Sequence, residues 1–272
     1  MIDARMSTRN TLRLLGGIVA AAMMMAGAGG ISLTTPAVAS ESMELKAADW
    51  SFAGPFGTYD RNALRRGYQV YKEVCSACHS MDLVHFRNLA DDGGPEFSEA
   101  EVKALAAEYT VMDGPNDEGD MFERPGEPRD ALVAPFANEQ AARVANGGAL
   151  PPDLSLIVKA RPDGANYVYS LLTSYEEPPA GFEMAQGMNY NLYFANQQTA
   201  MAPPISDDIV EYADGTPATT EQIAKDVVTF LMWAAEPKLE ERHRIGFMSM
   251  IYLIVLAGLL YFATRKVWSD QH

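Results

Sequence analysis

Apolar residues recur at helical spacing in three separate stretches of the chain, and in a fourth they run together without interruption. In NALRRGYQVYKEVCSACH (62–79), Leu64, Tyr68 and Tyr71 form one stripe on an otherwise polar surface. Gly67 interrupts the side chains there and leaves a flat spot where a second helix could approach. SEAEVKALAAEYTV (98–111) opens with Ser98 and has Glu101 three residues on, a capping box that predicts a helix start. DGTPATTEQIAKDVVTFLMWAAEP (214–237) repeats the device with Thr219 and Gln222, then places Ile223, Val227, Phe230 and Leu231 at i, i+4, i+7 and i+8 before Pro237 ends the pattern. The stripe reads as core packing. The uninterrupted run, IGFMSMIYLIVLAGLLYFAT (245–264), has no charge over a length of about 30 Å as a helix, which predicts one membrane span. Strand signals are scarce, the Pro/Gly-rich stretches 113–130, 147–152 and 176–187 read as loops, and no internal repeat is visible. The expected fold class is therefore mainly α, with long loops and one C-terminal transmembrane helix.

The N-terminus carries a second membrane signal. Arg5, Arg9 and Arg13 precede the uncharged LLGGIVAAAMMMAGAGGISL, and Ala37-Val38-Ala39 matches a small-x-small cleavage site. The resulting organisation is an export signal over 1–39, an exported domain over 40–244, the anchor over 245–264 and a cytoplasmic tail over 265–272. Orientation rests on the signal, because Lys238, Arg242 and Arg244 before the span nearly balance Arg265 and Lys266 after it.

Composition narrows the partners. A net charge of −15 over 272 residues makes nucleic acid an unsuitable partner and a basic protein a suitable one. With 48% hydrophobic residues the chain is globular.

The chain has two cysteines, both in Cys75-Ser76-Ala77-Cys78-His79. A structural zinc site needs four ligands, and no second pair exists to complete one. A thioredoxin-like redox pair is expected beside a βαβ pattern, whereas these flanks read as helical. CxxCH is also the signature of covalent haem attachment. On a helix, positions i, i+3 and i+4 share a face, so Cys75 and Cys78 can form two thioethers while His79 meets the iron from below.

A second axial ligand is then needed. Of the other histidines, His85 is too close along the chain, and His243 and His272 lie beside or beyond the apolar run, which argues against a bis-histidine pair. Among the fifteen methionines, Met43, Met112, Met121, Met184, Met188 and Met201 remain after removing those in the N-terminal segment, the span, the helix stripe and the vicinity of His79. Met201 stands out in QTAMAPPIS. Small Ala200 and Ala202 leave room for a haem edge, and Pro203-Pro204 stiffen the backbone.

Helix, CxxCH, long loops, a candidate methionine and an amphipathic helix follow in the order of class I cytochromes c. The blocks CSACHSMDLV, NGGALPPDLSLIVKAR, YSLLTSYEEPPAGF, TAMAPPI, DGTPATTEQIAKDVVTFLMWAAEP and the span followed by RKVW make the likeness closer. Together they resemble the cytochrome c1 family, the haem subunits of cytochrome bc1 complexes, from about residue 45 to 268. The resemblance implies one haem c held by Cys75 and Cys78, with His79 as proximal and Met201 as distal ligand. It further implies Arg161 pairing with a haem propionate, Pro151-Pro152 packing along the haem, and Asn146 and Tyr167 near it. Some bacterial members have an extra cysteine pair clamping the methionine loop, and this chain lacks it.

A haem with both axial positions filled has no vacancy for substrate and moves single electrons; thioether ligation raises its potential. The expected role is an electron-transfer subunit and not an enzyme on its own. It would take electrons from a Rieske iron-sulfur subunit beside cytochrome b and pass them to a cytochrome c. The resemblance implies a dimeric complex in the bacterial inner membrane, with the haem domain on the periplasmic side. Two other readings are a stand-alone membrane-anchored cytochrome c, which calls for a short haem domain on a flexible linker, and a haem peroxidase, which calls for an open iron.

Overall fold

The computed structural model describes residues 43–269; the expected export signal over 1–39 and the last residues of the tail lie outside them. Among the described residues the helices are α1 (Arg61–Glu73), α2 (Glu99–Ala107), α3 (Glu139–Ala145), α4 (Gly164–Leu172), α5 (Thr220–Ala235) and α6 (Leu239–Ser269). Short strands pair in three antiparallel ladders: β1 (Met81–His85) with β4 (Ala131–Leu132), β2 (Thr110–Asp113) with β3 (Phe122–Pro125), and β5 (Asn189–Tyr190) with β6 (Gln198–Thr199).

The core is the crossing of α1 and α5. Asp60 starts α1 by accepting the Asn62 and Ala63 N–H groups, and Leu64, Tyr68 and Tyr71 are buried along the anticipated stripe. On α5, Thr219 accepts the Gln222 N–H, and Ile223, Val227, Phe230 and Leu231 all face inward. Gly67 is where the two backbones meet: a Cβ there would lie 2.1 Å from the Asp226 carbonyl oxygen, so only glycine permits this approach. Around that contact the Phe230 ring packs against Tyr68 at 5.7 Å and Trp233 at 5.5 Å. The N-terminal segment is laced to α4 by Lys46 N–H donating to Ser170 Oγ (2.9 Å) and Trp50 Nε1 donating to Asn166 Oδ1 (2.8 Å).

The connection from α5 to α6 is short and heavily bonded. The α5 cap is Glu236, and α6 begins at the buried Leu239. Glu240 accepts the Tyr59 N–H at 2.7 Å and both terminal nitrogens of Arg61 at 2.8 and 2.9 Å. Tyr59 Oη donates to the Glu236 carbonyl at 3.0 Å. The arginine pulls the Glu240 carboxyl below the ordinary carboxylate range. Further along, α6 is long and apolar enough to cross a membrane, and its most apolar window has no cover from the other described residues.

Three expectations need correction. The helix expected over 62–79 stops at Glu73, and Cys75–Ala77 form a 3-10 turn. Stretch 113–130 is not simply a loop: β2 and β3 make a hairpin in register from Thr110↔Pro125 to Asp113↔Phe122. Its physical cause is Arg124, which forks onto Asp130 at 2.7 and 2.8 Å and also pairs with Asp113. Finally, Gln222 does not close a capping box; its side chain turns to Asp226 at 3.0 Å.

Candidate functional site

The CxxCH segment is anchored on both sides. Before it, Val70 and Tyr71 are buried in α1, and after it the Met81 side chain is fully buried at the start of β1. Between them, the Cys78 and His79 N–H groups both donate to the Cys75 carbonyl, at 3.1 and 2.9 Å, and Ser76 Oγ donates to the Lys72 carbonyl at 2.7 Å. The i, i+3, i+4 relation therefore survives in a tighter turn than an α-helix. Both cysteines are free thiols, Cys75 half-buried and Cys78 exposed. Burial pushes the Cys75 thiol up to about 12.

The His79 ring is oriented by a bond to the backbone. Its Nδ1 lies 2.7 Å from the Pro152 carbonyl oxygen. A carbonyl can only accept, so Nδ1 carries the proton and Nε2 presents a lone pair. Burial also lowers the imidazole pKa, against opposing pulls from the Pro152 carbonyl and Asp153. A neutral ring with one nitrogen tied to a carbonyl is the form in which histidine binds a metal.

Pro152 owes its place to a residue the sequence reading did not single out. Asp153 accepts from Ser80 Oγ, the Asp82 N–H and its own i+2 neighbour Ser155 N–H, each at 2.8 Å. Leu154 N–H donates to the Ser80 carbonyl at 2.9 Å, and Leu83 N–H to Ser155 Oγ at 3.1 Å. The strand after His79 and the turn carrying Pro152 are thus one bonded unit. An Asp two residues before a Ser is a recognisable Asx-turn, so this part of the signal was present in PPDLS.

Met201 is half-buried just past β6, with its N–H donating to Thr199 Oγ1 at 3.2 Å. Its loop is held without a disulfide. The β5–β6 ladder closes it, and buried Asn191 fastens that ladder to α4 by donating to the Leu171 carbonyl at 2.8 Å. Downstream of Pro203-Pro204, Ile205 is buried.

The remaining candidates divide. The Arg161 guanidinium lies 5.9 Å from the Tyr167 ring centroid and has no carboxylate partner among the described residues. Tyr175 is half-buried, its pKa raised by desolvation, and its covered hydroxyl has no hydrogen-bond partner among the described residues. Asn146 caps α3 instead, its Nδ2 donating to the Ala142 carbonyl at 2.8 Å. Thus His79 is bonded to Pro152 and Arg161 lies over Tyr167, whereas the hydrogen bonds of Met201 and Asn146 are local ones.

A haem fits this donor set. Two free thiols flank a turn whose histidine offers Nε2, and a thioether sits in a stiffened loop. Next to Asn146 and Pro152, Val144 (86% exposed) and Leu156 (48% exposed) leave apolar surface that a flat apolar group could cover.

Comparison with known proteins shows the family. A model of the Cytochrome C1 family matches residues 50–271. "Cytochrome b/c1" of Bradyrhizobium diazoefficiens is 50% identical over 274 residues, covering 93% of this chain; the chain spans 40% of that protein's length. "Cytochrome c1 2, heme protein, mitochondrial" of Arabidopsis thaliana is 50% identical over 258 residues, covering 93% of this chain and 83% of the relative. The Saccharomyces cerevisiae protein "Cytochrome c1, heme protein, mitochondrial" is 50% identical over 241 residues, covering 88% and 77%. With its family model matched over nearly all of the described residues, the chain belongs to the Cytochrome C1 family.

Proposed function

We propose that the chain carries single electrons from a Rieske iron-sulfur subunit to a cytochrome c through one covalently bound haem, as the electron-transfer subunit of a cytochrome bc1 complex. It is not an enzyme alone. The observation that carries the reading is the 2.7 Å bond from His79 Nδ1 to Pro152, which leaves Nε2 free next to two unpaired thiols. Cys75 and Cys78 would hold the haem by thioethers, with His79 and Met201 as axial ligands. When bound, the haem supplies a one-electron couple whose potential the thioether raises. Arg161 would pair with one of its carboxylates, with Tyr167 beside the guanidinium and Pro152 along the haem; Asn146 shapes the end of α3.

In this reading α6 anchors the chain in the bacterial inner membrane, with residues 40–244 on the periplasmic side and the tail in the cytoplasm. The clasp of Tyr59 and Arg61 on Glu240 favours a docked subunit over a stand-alone shuttle, because no flexible linker separates the domain from α6. Purification of the tagged chain from mild detergent tests this. A b-type haem, a [2Fe–2S] protein and a dimeric complex should copurify; a haem-loaded chain recovered alone would support the stand-alone carrier instead.

The acceptor's docking surface is assigned to the β2–β3 hairpin. Asp113 is paired with Arg124, which lowers its pKa, and it lies 3.6 Å from Arg129. Asp117, Glu118 and Asp120 remain at the exposed tip without an ion pair among the described residues, close to exposed Met112, Met121 and Phe122. Such a field acts on the encounter rate and fades over about 8–10 Å near physiological salt. Replacing Asp117, Glu118 and Asp120 together by Asn, Gln and Asn should slow cytochrome c reduction at low salt by about tenfold or more. It should also flatten the ionic-strength dependence and leave the haem potential unchanged. Identical salt profiles for variant and parent would move the docking surface elsewhere.

A further inference from the structure

One apolar feature outside the haem site sits against the start of the apolar run. In the turn Ala53–Gly57 no residue is charged, and Phe56 is 71% exposed. The turn is closed: Ala53 N–H donates to the Trp50 carbonyl at 3.1 Å, Gly57 N–H to the Gly54 carbonyl at 3.3 Å and Thr58 N–H to the Ser51 carbonyl at 3.0 Å. It is also fixed against α6. The Phe56 ring packs edge-on to Phe247, with centroids 5.5 Å apart, and His243 Nδ1 donates to the Gly57 carbonyl at 3.2 Å.

These contacts set the depth of Phe56. Phe247 is the third residue of the uncharged run 245–264, and the turn of helix before it carries Arg242, His243 and Arg244. Cationic side chains suit the headgroup level of a bilayer, and the wholly apolar phenylalanine ring suits the upper hydrocarbon just below it. A rigid, uncharged turn that presents a phenylalanine beside Phe247 must share that level whenever the run is in lipid. We propose that the Ala53–Gly57 turn is a second membrane contact, with Phe56 inserted beside Phe247 into the lipid boundary. The haem domain is then held to the bilayer at two points rather than by the helix alone. This inference rests on the reading of α6 as a membrane span.

The test uses the haem-loaded full chain in vesicles of phosphatidylcholine and phosphatidylglycerol doped with a phosphatidylcholine bearing a diazirine high on its acyl chain. Irradiation followed by peptide mapping should place lipid adducts on the 53–57 peptide as well as on α6. Phe56→Asp should abolish the first set and spare the second, while Phe56→Leu should keep both. Adducts on α6 but none on 53–57 in the parent would overturn the proposal and leave the span intact. Absence of adducts on α6 itself would overturn the span reading. The same irradiation of the whole complex in native membranes adds a third arm: protein cross-links at 53–57 in place of lipid adducts would give the turn to a partner subunit and overturn the proposal.

Discussion

Met201→Leu should leave the haem covalently attached and lower its midpoint potential by on the order of a few tenths of a volt, within the roughly 0.8 V range that axial ligands control. Leucine has nearly the shape of methionine, so packing around Thr199 and Ile205 should change little while the sulfur is lost. Cys75, Cys78 and His79 would still hold the group. A redox titration with a denaturing haem stain on the same samples separates the two effects. An unchanged potential would transfer the ligand role to Met184 or Met188. Loss of the stain would mean that Met201 is needed for attachment rather than for tuning.

The second large effect is expected at the α1–α5 crossing. The Asp226 side chain is 1% exposed and is held by Arg66 Nε and Nη2 at 2.8 and 2.9 Å, with Gln222 at 3.0 Å. Asp226 holds the guanidinium above its ordinary pKa, with a second pair to Asp214 at 2.8 Å adding to the effect. Arg66→Met leaves a buried carboxylate without its counter-charge, at a cost of about 3–5 kcal/mol. At roughly 2–4 °C per kcal/mol for a domain of this size, the detergent-solubilised chain should melt several to about 20 °C lower. Arg66→Met with Asp226→Leu should recover most of the loss, since the pair replaced by apolar groups no longer strands a charge. A single variant within about 1 kcal/mol of the parent would show that water reaches Asp226 and that the pair is dispensable.

What the sequence made legible was local or periodic. Ser98 and Thr219 cap helices because a hydroxyl two or three residues before a free N–H needs no distant partner. Gly67 could be read because a gap in an apolar stripe has a packing meaning wherever the second helix comes from. The hairpin was hidden because Arg124 must gather Asp113 and Asp130 from either side, and a run of acids looks the same whether or not they are paired. The α4 start has an Asp at the cap position but does not use it as a cap: Asp163 stands in the left-handed region with φ 47 and makes no capping bond. At the site, Cys75, Cys78 and His79 form a contiguous motif, whereas the His79–Pro152 bond spans 73 residues and only the family resemblance brought Pro152 into view. Asp153 was missed because its role depends on partners at Ser80 and Asp82 that spacing does not encode.

The α1–α5 crossing also sets an order of events in biosynthesis. Arg66 and Asp226 are 160 residues apart, so α1 lacks its crossing partner α5 until most of the chain has been made, although Phe97 and Glu108 reach it much earlier. At about 5–20 residues per second, that interval lasts about 8–30 s. Throughout it, Cys75 and Cys78 lie in a turn just past a helix whose crossing partner is still missing, and Cys75 has not acquired the burial that raises its pKa. Cys75 is thus more reactive before the core closes than after it, and folding shields Cys75 while leaving Cys78 at the surface.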